Sequence, residues 1–137
     1  MPRFSYRSMM RLFTCHPDLQ TLFNQVVKTV DCTILDGFRN EEDQNHAFDE
    51  GRSKLTWPNS NHNHSPSFAV DVTPYPIDFE NNNLALWFGG YVLGMAQALK
   101  DQGKMTYGVR WGGDWDGNDK LNKPRELNDL AHFELII

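Results

Sequence analysis

Two histidines, His62 and His64, lie in a polar stretch, and an aspartate, Asp71, follows them inside a short apolar run. Side chains alternate between the two faces of a β-strand, so Asp71 shares a face with Ala69 and Thr73. A carboxylate buried there without a partner costs several kcal/mol. The pattern therefore predicts that a cation faces Asp71, either a metal ion beside a histidine or an arginine in a salt bridge.

A third histidine, His132, begins the last apolar run of the chain, and Asp129 lies three residues before it. Two histidines and one carboxylate, with a fourth position left for water, form a usual ligand set of catalytic zinc. A further carboxylate that is not a ligand supplies the base that metal-assisted hydrolysis needs. Taken together, these residues favour a zinc site over the alternative of a histidine that merely ends a strand.

Hydrophobic spacing and capping residues predict the elements that position these side chains. We expect helices over 17–30, 41–50 and 84–102, strands over 32–36, 68–72, 109–111 and 132–137, and polar loops over 53–67 and 112–128. Strands and helices mix without a repeated strand–helix–strand order. The predicted fold is therefore α+β, a small antiparallel sheet flanked by helices, in a single domain over 1–137.

The charge of the chain and the length of its apolar stretches argue against several classes of function. The net charge is −5, and the 13 basic residues are scattered without a run of three, so nucleic-acid binding is not expected. No apolar stretch is long enough for membrane insertion. The first thirty residues contain no continuous apolar segment with a cleavage site, so we expect no signal peptide.

The histidine and aspartate pattern resembles that of a known family, the zinc D-Ala-D-Ala carboxypeptidases and L-alanyl-D-glutamate endopeptidases, which includes VanY-like enzymes and small phage endolysins. The family pattern is Ser-x-His-x6-Asp followed by Asp/Glu-x-x-His. The resemblance covers roughly residue 17 to the end of the chain. Further matching segments are Gly37-Phe38-Arg39, Gly51-Arg52-Ser53, Ala69-Val70-Asp71-Val72, Trp111-Gly112-Gly113-Asp114-Trp115 and Asp129-Leu130-Ala131-His132-Phe133-Glu134-Leu135.

The resemblance implies one Zn²⁺ per chain, held by His64, Asp71 and His132 in a site of the hedgehog and DD-peptidase type, with Asp129 as the catalytic carboxylate. The family usually has serine two residues before its first zinc histidine, and counting back from His64 reaches His62 instead. Family spacing to the Ala-x-Asp segment selects His64. His62 then remains a rival ligand or a contact for substrate.

The resemblance also assigns residues around the metal. Arg39 matches a family arginine that binds or polarises substrate, with a surface pair to a nearby carboxylate as the alternative. Gln44 and Asp114 are expected to contact substrate. Trp111 and Trp115 are each expected either in the substrate groove or in the core.

The implied function is zinc-dependent hydrolysis of the L-alanyl-D-glutamate bond in the stem peptide of bacterial peptidoglycan, by a monomeric phage endolysin. Such an enzyme stays in the host cytoplasm until a separate holin-type protein opens the membrane. Its negative charge predicts no attraction to an anionic envelope. Two alternatives are a D-alanyl-D-alanine carboxypeptidase or dipeptidase of the same fold and a non-catalytic zinc-stabilised binding module, and the carboxylate at Asp129 argues against the second.

Overall fold

A computed structural model describes residues 1–118 and 129–137. Residues 119–128 of the predicted polar loop lie outside this description. The helices of the described residues are α1 (Tyr6–Phe13), α2 (Pro17–Val26), α3 (Glu41–Asp49) and α4 (Asn82–Asp101). The strands are β1 (Cys32–Asp36), β2 (Ala69–Pro74), β3 (Gly108–Trp111) and β4 (His132–Ile136), and a 3-10 turn covers Asn61–Asn63.

The four strands form one antiparallel sheet in the order β1-β2-β4-β3. This confirms the predicted α+β fold with a small antiparallel sheet. The central pair joins β2 to β4, two strands that are far apart in sequence. In its register Asp71 lies directly opposite His132. The sheet therefore brings together two of the residues that the sequence selected for chemistry.

Alternation along the strands separates the hydrophobic core from the opposite face of the sheet. Phe133 on β4 is fully buried, with its ring centroid 5.4 Å from that of Phe23 on α2 and 6.2 Å from that of Phe88 on α4. Because successive side chains point to opposite faces, His132 and Glu134 face away from this core. The packing that stabilises β4 thus also fixes the direction in which its polar residues point.

Helix α1 was not predicted, and it covers one edge of the sheet. The hydroxyl of Ser8 accepts a hydrogen bond from the Ile34 amide at 3.1 Å, and the Arg11 guanidinium donates to the Ile34 carbonyl at 3.0 Å. These contacts pair backbone groups of β1 that an edge strand otherwise leaves open. The buried side chains of Phe4 and Leu12 complete the attachment. None of the helices within 1–118 and 129–137 combines the length and apolar character needed to cross a membrane.

Candidate metal centre

Three side chains converge on one point at the open face of the central strands: His62, Asp71 and His132. Their nearest ligand atoms all lie within 4.8 Å of one another. The Asp71 Oδ1 atom is 3.3 Å from His62 Nε2 and 3.1 Å from His132 Nδ1. The two imidazole rings meet edge to face with centroids 5.2 Å apart. We call this group the His62–Asp71–His132 cluster.

The 3-10 turn that carries His62 is fixed by its own sequence. The Ser60 hydroxyl accepts a hydrogen bond from the His62 amide at 3.2 Å, and the Asn63 side chain accepts one from the Ser60 amide at 3.0 Å. This reciprocal arrangement is a capping box. The Arg39 amide donates to the His62 carbonyl at 2.8 Å and ties the turn to the segment after β1. The backbone of His62 is therefore held on both sides.

The hydrogen bond on one side of the His62 ring determines what its other side can do. The Gly37 carbonyl lies 2.7 Å from Nδ1, and a carbonyl only accepts, so Nδ1 carries the hydrogen. In the neutral ring Nε2 is then a bare acceptor. This atom is buried and has no hydrogen-bond partner within residues 1–118 and 129–137, although it lies 3.3 Å from Asp71 Oδ1. A buried nitrogen lone pair without a partner is unfavourable, and a cation or a hydrogen-bond donor placed there would stabilise it.

The His132 ring is held in the complementary way. Its Nε2 donates to the Glu134 carboxylate at 2.7 Å, which turns Nδ1 towards Asp71. Glu134 is fixed in turn by hydrogen bonds from Asn61 at 2.8 Å and Arg110 at 3.0 Å. Burial by itself would lower the pKa of His132, but the hydrogen bonds to Asp71 and Glu134 raise it to about 10. This corner of the molecule strongly favours positive charge.

Asp71 contacts an arginine on one oxygen and the two histidines on the other. Its Oδ2 accepts a hydrogen bond from Arg39 at 3.1 Å, while Oδ1 faces the two imidazoles. Arg39 is itself buried and also donates to Asp36. Burial would raise the pKa of the Asp71 carboxyl, but His62 and His132 hold it well below its usual range. The salt bridge to Arg39 and the histidine cluster therefore share the same carboxylate, each through one of its oxygens.

The donor set of the cluster fits a divalent zinc ion. It offers two imidazole nitrogens, each with its other nitrogen hydrogen-bonded, and one carboxylate oxygen, which is the composition of open catalytic zinc sites. The unpaired Nε2 of His62 points to the same conclusion. The residues present thus suit the metal that the sequence predicted.

The structure disagrees with one of the predicted ligands, because it places His62, and not His64, beside Asp71 and His132. His64 is exposed, and its ring stacks on Phe68 with centroids 4.2 Å apart. The error came from using the spacing to the aspartate. The serine of the Ser-x-His pattern is present as Ser60, two residues before His62, and this signal could have selected His62 as the candidate ligand from the sequence.

The cluster lies on the wall of a cleft of about 510 Å³. Asp129 lines the same cleft, as expected for a residue close to His132 in sequence. Although Asp129 is exposed as a residue, the protein packed around its carboxyl raises the pKa, while His132 opposes and Asp71 reinforces the rise. A raised pKa makes a carboxylate a better proton acceptor. Its catalytic role remains a prediction.

Three predicted substrate contacts do not line this cleft. Gln44 is fully buried. Its side-chain amide donates hydrogen bonds to the Ser53 hydroxyl at 2.9 Å and the Leu55 carbonyl at 2.7 Å, and so supports two residues that line the cleft. Trp111 is a core residue whose ring stacks on Phe133, which was the alternative expectation. Asp114 is buried outside the cleft. The other tryptophan expected in the groove, Trp115, does line the cleft, and its ring centroid is 5.4 Å from that of His132.

Comparison with known proteins decides the family. A family model described as phage L-alanyl-D-glutamate peptidase matches residues 1–136. The chain belongs to this family. The peptidase is also similar to the crystal structure of Serratia marcescens L-Ala D-Glu endopeptidase ChiX, with 23% identity and a TM-score of 0.67 over 98% of this chain and 91% of that chain. At that identity the likeness shows a shared fold. No curated protein sequence matches the chain.

The chain is therefore a peptidase of bacterial peptidoglycan with L-alanyl-D-glutamate specificity. This confirms the predicted family and bond. The family description favours this bond over the D-alanyl-D-alanine alternative, and a peptidase over a binding module.

The identity of the metal-binding histidine can be tested with a matched pair of variants. We expect the wild type to retain one zinc per chain and His62→Ala to lose it, because the variant lacks one of three candidate ligands. His64→Ala should retain one zinc per chain, since its ring is exposed and outside the cluster. Metal content after dialysis, with folding checked by circular dichroism, distinguishes them. Loss of zinc in His64→Ala alone would restore the spacing-based assignment.

Glu134 should contribute to zinc affinity without binding the metal. Removing the acceptor of the His132 Nε2 hydrogen in Glu134→Ala should weaken zinc binding by about 10–100-fold, the usual effect of losing such a partner. Glu134→Gln keeps an oxygen acceptor and should lose less. Competition with a chelating dye measures the affinity, and Glu50→Ala, which removes an exposed carboxylate, is the control. An unchanged affinity in Glu134→Ala would show that other contacts orient His132.

Proposed function

We propose that the peptidase is zinc-dependent and that the His62–Asp71–His132 cluster binds one Zn²⁺ per chain. The observation that carries this proposal is the buried, unpaired Nε2 of His62, directed at the same carboxylate oxygen as His132 Nδ1. Two oriented imidazoles and a carboxylate leave a tetrahedral metal one position for water or substrate. The cleft beside the cluster gives a peptide access to that position.

Peptide hydrolysis at this site divides the work between metal and protein. When bound, the zinc ion supplies a Lewis acid that polarises a carbonyl and lowers the pKa of water. Asp129 removes a proton from the attacking water and passes one to the leaving amine. Its position on the cleft wall gives it access to that water, and its raised pKa supports the first transfer. The amine released is that of D-glutamate.

Arg39 acts in this proposal as a positioning residue for Asp71. Its guanidinium is buried and donates to Asp36, Asp71 and, at 3.5 Å, Gln44. These bonds hold one carboxylate oxygen of Asp71 so that the other faces the histidines. Arg39 also lines the cleft, so its remaining N–H groups are close to a bound peptide.

The cleft walls suit an anionic peptide. The exposed cations Arg52 and Lys54 line it on the side of the loop after α3. The stem peptide offers a free carboxylate on its D-glutamate, beside the bond that is cut. We propose that this carboxylate faces the cationic wall while Trp115 packs against the peptide near His132.

The role of Asp129 is testable by replacing its carboxylate with an amide. Asp129→Asn should retain zinc and lower turnover of a soluble stem peptide by about 10²–10⁴-fold, because the general base is lost. Turnover is measured by mass analysis of the new amino terminus on D-glutamate, with and without chelator. The control Asp101→Asn removes a carboxylate at the end of α4, away from the cleft.

Three results would contradict this assignment. Normal turnover in Asp129→Asn would make the carboxylate structural. Unchanged activity after complete removal of metal would refute the zinc mechanism. Release of free D-alanine in place of D-glutamate ends would reassign the bond.

We further propose that the peptidase acts as a monomer, accumulates in the host cytoplasm and reaches the wall when a separate holin-type protein opens the membrane. Membership of a phage family supports this, since a phage protein is made inside the cell and peptidoglycan lies outside its membrane. Production of the peptidase alone should leave bacterial cultures turbid, and co-production with a holin should clear them. Asp129→Asn with the holin is the control. Clearing by the peptidase alone would indicate another route of export.

A further inference from the structure

An apolar stripe runs along the outer face of α1. It consists of Tyr6, Met9, Met10 and Phe13, which lie at the i, i+3, i+4, i+7 spacing of a single helix face. Their exposed fractions are 75%, 52%, 51% and 74%. In most surface helices such a stripe faces the core. Here it faces solvent, and we call it the α1 stripe.

The stripe points outward because the opposite face of α1 is the one that packs. Ser8 and Leu12 are buried, and the Ser8 hydroxyl bonds the Ile34 amide of β1. A small side chain at Ser8 allows the helix to approach the edge strand closely. Arg11 bonds the Ile34 carbonyl one turn later. The exposure of the stripe is therefore a consequence of how α1 is attached.

The charged side chains of the segment that contains the α1 stripe are all positive. Residues 1–17 contain Arg3, Arg7 and Arg11 and no acidic residue. The remaining ten basic and 18 acidic residues give the rest of the chain a net charge of −8. Arg3 and Arg7 are exposed. The overall negative charge thus conceals a local cationic segment, and screening over about 8–10 Å makes the local charge the one that a nearby surface meets.

A second exposed apolar segment provides a contrast within the same molecule. Tyr75, Ile77 and Phe79 have exposed fractions of 60%, 46% and 68%. They are interleaved with Asp78 and followed by Glu80. An anionic surface would attract the first segment and repel the second.

We propose that the α1 stripe docks this protein onto an anionic phospholipid bilayer. The arginines meet the lipid headgroups, and the aromatic and methionine side chains enter the interfacial layer, as in amphipathic helices that lie on a membrane. The helix is too short to span, so the association is peripheral. Docking does not depend on the proposed zinc chemistry, because no residue of the cluster takes part in it.

Vesicle co-sedimentation of the full chain tests the proposal. We expect binding to vesicles that contain phosphatidylglycerol, little binding to phosphatidylcholine alone, and loss of binding at high salt. The pair Arg3→Gln with Arg7→Gln should weaken binding about 25-fold, about fivefold for each arginine. The pair Tyr6→Ser with Phe13→Ser should weaken vesicle binding by about tenfold or more, since the variant lacks the aromatic surface that enters the bilayer.

Matched controls remove the same kinds of side chain elsewhere. Tyr75→Ser with Phe79→Ser removes one tyrosine and one phenylalanine of similar exposure, and Lys28→Gln with Lys104→Gln removes two exposed cations. Both should bind vesicles as the wild type does. Circular dichroism and cleavage of a soluble stem peptide verify that each variant is folded. Failure of the wild type to cleave the peptide would count against the proposed function. It would not affect the docking proposal, which the vesicle binding tests separately.

Three outcomes would overturn the docking proposal. The first is equal binding to charged and uncharged vesicles, or none to either. The second is equal loss of binding in the stripe variants and their controls. The third is a dimer in sedimentation velocity that Tyr6→Ser with Phe13→Ser dissociates while vesicles stay unbound, which would make the stripe a contact between two copies.

Discussion

The Asp71 carboxylate lies in the middle of a sheet between two imidazole rings and a guanidinium, and its burial is tolerated only because these groups compensate its charge. Each compensating group arrives from a different part of the chain. Arg39 follows β1, His62 lies on the 3-10 turn, and His132 begins β4. Because the compensating groups must all reach one carboxylate, the register of β2 with both neighbouring strands is tightly constrained.

The same constraint joins the core to the site. Phe133 and Leu135 are buried on one face of β4, so His132 and Glu134 are directed to the other. A slip of one residue in this strand would exchange the two sets, placing charged groups in the core and aromatic ones in the cleft. Hydrophobic packing therefore selects the pairing that also assembles the His62–Asp71–His132 cluster. The core and the cluster therefore require the same register of β4.

The helix α1 shows a different solution to the edge of a sheet. Its contacts with Ile34 protect β1, and its cost is an apolar stripe left in solvent. The stripe and its arginines are held by a rigid attachment and lie on an element distinct from the cleft. The molecule therefore has two separate surfaces, the cleft beside the His62–Asp71–His132 cluster and a helix face with the composition of a membrane-facing helix.

The sequence by itself determined the fold class, the strands, the three longer helices and two of the three cluster residues. Short-range periodicity and residue chemistry are local properties that can be read from neighbouring residues. Asp71 was recognised because it lies in an apolar strand, and His132 because it begins one. The family pattern added the peptide bond that is cut. Asp129 came from its spacing to His132, which the turn before β4 preserves.

Only the tertiary structure decided between His62 and His64, because the turn that places His62 depends on Ser60, Asn63 and the Arg39 backbone rather than on distance along the chain to Asp71. It also moved Gln44 beneath the cleft and Trp111 into the core, since a polar or aromatic residue near a site in sequence can point to either side of its element. The outward face of α1 was hidden for a related reason. An apolar helical stripe normally predicts burial, and a small buried Ser8, bonded to the edge strand, reverses which face is inside.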